Sequence, residues 1–228
     1  MFKTTLSVSD GTNPVPTSQQ YRLMGAIAAL ILISLITSSG GSPMKHTISN
    51  CWEGFIWGIA DPVIGLDRLA GIVAVGLLSA RFVRGAGIGL AFVFAAFLGQ
   101  IIHLASLKLL GIDPGIEIFI AIFSILFGVI FILHTPISWL ACTILSAIAG
   151  LFHGYADSQA IIGAQISTIA TYLIGVSLTQ TAIVLSARKI GIIFTKQASK
   201  QIFHKTIRWV GLTFCAIGVV FFANAVIS

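Results

Sequence analysis

The chain has 228 residues, of which 57% are hydrophobic and only 9% charged, with a mean hydropathy of +1.02. A soluble globular domain carries about a quarter charged residues, so most of this chain is excluded from water. The formal net charge of +6 does not indicate a nucleic-acid partner, because six of the 13 cations (Arg188, Lys189, Lys196, Lys200, Lys205 and Arg208) lie together between two apolar runs instead of covering one face of a soluble domain.

The charges leave five gaps, at 23–44, 85–107, 118–156, 158–187 and 209–228, each long enough for the roughly 20 residues of a membrane-crossing helix. Seven apolar segments are predicted, at about 22–39, 62–80, 86–107, 115–133, 136–156, 159–187 and 207–227. Continuous runs such as GIEIFIAIFSILFGVIFIL (115–133) lack the alternation of a transmembrane barrel strand. The expected fold is therefore all-α: a polytopic bundle of six to seven spans, embedded in a lipid bilayer. Residues 1–48 form a leader and first hydrophobic span, and 49–228 the main membrane domain. The first segment reads either as a retained anchor or as a signal sequence, since TSSGGS follows it.

Asp61-Pro62, Asp113-Pro114 and Thr135-Pro136 each place a side-chain acceptor before a proline suited to a first helical turn, so they are expected to open the second, fourth and fifth spans. Asp157-Ser158 is expected to cap the sixth. Small-residue pairs at Gly54/Gly58, Gly85/Gly89 and Gly150/Gly154 suggest close helix contacts. Arg81, Arg84 and the six later cations place two connections in the cytoplasm. The N-terminus, if retained, is then cytoplasmic and the C-terminus outside. Trp52, Trp57, Trp139 and Tyr155 read as interfacial aromatics.

An ionisable group within a span costs from about 2.5 kcal/mol upward, so it needs a partner, water or a function. The polar residues in the spans are Asp67, Arg68, Gln100, His103, Glu117, His153 and Gln165, all in the half of the membrane away from the cytoplasm. Asp61, Gly65 and Arg68 share one helical face, with Asp67 about 100° from Arg68. An ion pair of Arg68 with Asp61 or Asp157 is one expectation, and a hydrogen bond from His153 to a carbonyl another. His46, His134 and His204 fall in connections. Cys51, Cys142 and Cys215 form no CxxC, so sulfur carries no expected chemistry. Neither a GxxxxGK[ST] loop, an HExxH helix nor a GxSxG elbow occurs, and no enzymatic activity is expected. GAGIG at 85–89 lacks the βαβ setting of a dinucleotide site.

The segment ADPVIGLDRLAGIVAVGLLSA (60–80) resembles the His-Pro-x-x-Gly-x-Asp-His hallmark of the HupE/UreJ membrane proteins, and GLFHGYADSQA (150–160) resembles their His-Gly-x-Ala-His-Gly motif. Pro62, Gly65, Asp67, Val75, Gly76, His153, Gly154 and Ala156 match; Asp61, Arg68 and Asp157 stand where the family has histidine. The resemblance implies a bacterial permease for nickel or cobalt in the cytoplasmic or an internal energy-transducing membrane. It implies no permanently bound cofactor, only a transported divalent metal. By resemblance the metal would meet Asp67, His153, Asp61 and Asp157, with Arg68, His103 and Gln165 behind them. Carboxylates in place of imidazoles suit harder cations such as manganese, magnesium or calcium, while a fixed guanidinium repels a metal. The alternative is a non-transporting subunit of a larger membrane complex or homo-oligomer, its metal site replaced by an Arg68–carboxylate pair.

Overall fold

A computed structural model describes residues 48–105, 115–133, 137–197 and 200–227, with scattered positions between 22 and 34. The described residues are mostly helical and contain no strand. Seven helices follow in order: α1 (Cys51–Ile64), α2 (Leu66–Ser79), α3 (Ala86–Leu104), α4 (Ile116–Leu133), α5 (Trp139–Asp157), α6 (Ile166–Gln197) and α7 (Lys200–Ile227), with a 3-10 turn at Ser158–Ile161. Helices α3 to α7 are each long and apolar enough to cross a membrane, and α1 with α2 make a sixth candidate span bent by 80°. The protein is an all-α polytopic membrane bundle.

The bent pair corrects the expected second span. Asp61-Pro62 does not open a helix: both residues lie in the last turn of α1. The N-terminal signal sits eleven residues earlier, where the Asn50 side chain accepts from the Glu53 amide at 2.9 Å and the Glu53 carboxylate takes the Ser49 N–H and hydroxyl. This is the reciprocal capping that satisfies exposed first-turn donors. Pro62 removes one intrahelical donor, and the chain breaks three residues later at Gly65, which is extended (φ −89°, ψ 119°). Helix α5 likewise starts later than expected, with Ser138 accepting from the Ala141 amide. The Asp113-Pro114 and Thr135-Pro136 signals, and most of the first hydrophobic segment, lie outside the described residues.

Helix α2 is the axis of the bundle. Eleven of its fourteen residues are buried, and it packs against α6, α4, α3 and α7. Around it the most extensive pairings are α3 with α5, α4 with α7 and α1 with α6. Glycine allows all three, Gly128 of α4 standing against the Gly211 carbonyl of α7. A methyl at Gly154 would collide with the Ala96 carbonyl, and one at Gly58 with the Tyr172 carbonyl, so backbones meet where side chains are missing.

The cations expected to flank a connection instead extend two helices. At 1.5 Å per residue, the 32 residues of α6 reach about 48 Å, beyond the ~30 Å hydrocarbon core. Arg188 places Nη2 3.5 Å from the Val83 carbonyl, and the Trp139 indole donates to the Arg84 carbonyl at 3.1 Å. The two basic regions therefore lie at one end of the bundle, as their charge pattern requires.

Candidate functional site: a buried aspartate–arginine cluster

The polar centre lies at the other end, where α2 begins. Arg68 stands in the first turn of α2, thirteen residues and about 20 Å of helix rise from Arg81. Asp157 is the last residue of α5, not the N-cap expected for the next span. Arg68 Nη1 donates to Asp157 Oδ1 at 3.0 Å, and the pair is buried, with 9% and 2% of the side chains exposed. Gln180 of α6 donates to the other carboxylate oxygen at 3.0 Å. Asp157, one of the two partners expected for Arg68, is bonded to it.

Asp61 joins the cluster through α6. The Tyr172 hydroxyl lies 2.6 Å from Asp61 Oδ2 and 2.8 Å from the Asp157 carbonyl, so one O–H bridges the end of α1 to the end of α5. Asp67 is also buried. Its carboxylate turns back over Gly65 toward the backbone amides of the first turn of α2, where the positive end of the helix dipole favours an anion. Arg68 is within electrostatic reach of Asp61, Asp67 and Asp157 together. The half-buried Glu117, at the start of α4, lies within reach of Arg68 and Asp67.

His153 is one turn further into the membrane on α5. Its ring stands edge-on to Phe92, with centroids 5.4 Å apart, and fills the space left by the missing side chain of Gly71 on α2. The expected carbonyl hydrogen bond is absent: neither ring nitrogen has a partner among the described residues. Gln100 on α3 is in the same condition, fully buried with both amide atoms unpartnered. Such atoms are exceptional in a folded interior and call for water or an ion.

The other expected residues divide. His103 flanks the cluster, with Nδ1 2.7 Å from the Ser158 hydroxyl, which itself donates to the Tyr155 carbonyl. Tyr155 is no interfacial residue; it is buried and stacked on His103 at 4.2 Å. Gln165 is a correction. It precedes α6, is exposed, and offers its carbonyl to the Ile169 amide, so it does not reach the cluster. Among the described residues, no three His, Cys, Asp or Glu side chains are grouped to hold a metal ion. Arg68, Gln180 and Tyr172 occupy carboxylate oxygens that such an ion would use.

Tyr172 and Gln180 were missed in the sequence, although the signal was there. Thr168, Tyr172, Val176, Gln180 and Val184 recur at four-residue spacing and are all buried, a stripe whose Tyr172 and Gln180 bond to α1 and α5. The profile of the HupE / UreJ protein family matches residues 32–221, most of the chain. The chain belongs to the HupE/UreJ family. No curated protein and no solved structure gives a significant match. In this HupE/UreJ protein the two motif segments meet: Arg68 of 60–80 bonds Asp157 of 150–160, and Gly71 of 60–80 receives the ring of His153 of 150–160.

Proposed function

We propose that this HupE/UreJ protein is a secondary permease for a divalent metal cation, which it holds transiently among Asp61, Asp67, Asp157 and His153. One observation carries the reading. The buried ionisable acids and bases with formal charge among the described residues are three aspartates and one arginine, two carboxyl groups more than cations in an apolar bundle. A charge in that setting is expensive unless balanced, and one divalent cation supplies the required balance. The unpartnered imidazole of His153, one turn from Asp157 on α5, would complete the ligand set once the carboxylates close on the ion. This mixed set suits manganese, cobalt or nickel better than a soft thiophilic ion.

The arrangement has consequences for each residue. Asp157 becomes a ligand only when Arg68 releases it. Tyr172 and Gln180 hold Asp61 and Asp157 in place across three helices. The bend at Gly65 sets the start of α2, and with it Asp67 and Arg68, beside the end of α5.

The test is uptake of Co2+, Ni2+ and Mn2+ into liposomes containing the purified protein. Wild type should load the vesicles, whereas Asp67→Asn and His153→Ala should fall to the level of protein-free liposomes. Wild-type uptake equal to that of empty vesicles rejects the permease reading.

A second reading is favoured by the Arg68–Asp157 bond itself. A 3.0 Å pair braced by Gln180 can be a permanent lock, leaving a subunit of a larger membrane complex. Purification in mild detergent would then recover a stoichiometric partner, and metal uptake would be absent.

A further inference from the structure

We propose that Arg68 is a tethered competitor of the transported cation: it holds Asp157 when the metal is away and moves to Glu117 when the metal binds. The inference rests on the permease reading and assigns a role to the one residue that reading leaves opposed to a metal. Arg68 and a metal ion need the same oxygens of Asp157, whose carboxylate already bonds Arg68 on one side and Gln180 on the other. A static guanidinium there would repel the ion at close range in a medium of low dielectric. A mobile one converts that repulsion into exchange, since every cation that enters displaces a cation already present.

The geometry supplies a second position. Arg68 sits three residues beyond the break at Gly65, and its Cγ and Cδ pass over that glycine, 3.3–3.4 Å from where a methyl would stand. Glu117 opens α4, which packs against α2, and is half-buried. It is within electrostatic reach of Arg68 without being its present hydrogen-bond partner. A swing of the long, flexible side chain from Asp157 to Glu117 keeps the guanidinium paired with a carboxylate in both positions. It never leaves an isolated buried charge, which is the costly state.

Such a competitor weakens binding and speeds release. Titration of Co2+ into the protein in phosphatidylcholine nanodiscs, paired with initial uptake rates in liposomes, tests this. Arg68→Gln should bind Co2+ at least about tenfold more tightly than wild type and turn over more slowly at saturating metal. Arg68→Lys retains a cation and should stay within about threefold of wild type in both quantities. Glu117→Gln removes the second position and should weaken binding severalfold, and this effect should vanish in the Arg68→Gln background. Equal or weaker binding by Arg68→Gln overturns the inference and leaves the permease reading standing. So does an additive Glu117→Gln effect. If Arg68→Gln does not fold, unchanged binding by Glu117→Gln alone overturns it. If neither wild type nor any variant binds Co2+, the permease reading itself has failed.

Discussion

Replacing Asp157 by leucine removes the acceptor of both Arg68 and Gln180 while keeping a side chain of similar size. The guanidinium then stays buried, 9% exposed, having lost its direct partner. Breaking a buried pair from one side costs about 3–5 kcal/mol. The stranded amide of Gln180 raises the figure within that range, and the nearby carboxylates of Asp61 and Asp67 lower it. For a chain of this size each kcal/mol shifts the unfolding midpoint by about 2–4 °C, so Asp157→Leu should unfold about 10 °C below wild type. Removing both charges is a different perturbation. In Arg68→Met/Asp157→Leu nothing charged is stranded, and apolar replacements of a buried pair are often neutral or stabilising. The double variant should recover to within about 2 kcal/mol of wild type, yet transport no metal. Thermal unfolding followed by tryptophan fluorescence in one fixed detergent reads both quantities, because the four tryptophans report on the bundle. A single variant as stable as wild type, or a double variant showing the plain sum of two losses, would refute the account of the pair.

Other substitutions follow from the same geometry. His153→Leu should be as stable as wild type or more so, because an unpartnered buried polar group costs about 1–3 kcal/mol, while metal uptake falls to background in the liposome assay. Tyr172→Phe should lose about 1–3 kcal/mol by depriving the Asp61 carboxylate of its hydroxyl, with a coupling above about 0.5 kcal/mol to Asp61→Asn in a double-mutant cycle. Gly154→Val should abolish the monodisperse protein peak in size-exclusion chromatography, since the Ala96 backbone cannot move aside for a side chain. Gln165→Ala should leave stability and uptake unchanged, as its exposed side chain requires.

Much of this arrangement was legible in the amino-acid order, for identifiable reasons. Charge-free stretches of twenty or more residues define spans whatever the tertiary contacts, so α3 to α7 emerged directly. The clustering of eight of the 13 arginines and lysines in two regions placed those regions at the same end of the bundle. The Arg68–Asp157 pair was one of two foreseen, because buried charges in a bilayer must find one another. What escaped was local and three-dimensional. A proline suits a helix start, and nothing in Asp61-Pro62 alone reveals that an earlier cap at Asn50 has already begun the helix, leaving the break to Gly65. Gln165 lay in an apolar run, but the 3-10 turn at Ser158–Ile161 delays α6 until after it. Tyr172 and Gln180 resemble neutral filler one at a time, and only their shared face with Thr168 marks them as part of a site. His153 was expected to find a carbonyl; the close approach of Gly71 and Phe92 instead encloses its ring in apolar surface.

The central claim is that the excess of carboxyl groups buried around Arg68 exists to receive a divalent cation. It is tested most directly by equilibrium dialysis of the purified protein against Co2+ or Mn2+, with metal counted per chain by mass spectrometry. The account predicts one ion per wild-type chain and none per chain of Asp61→Asn/Asp67→Asn. A wild-type chain that retains no metal, or a double variant that retains as much as wild type, would contradict it.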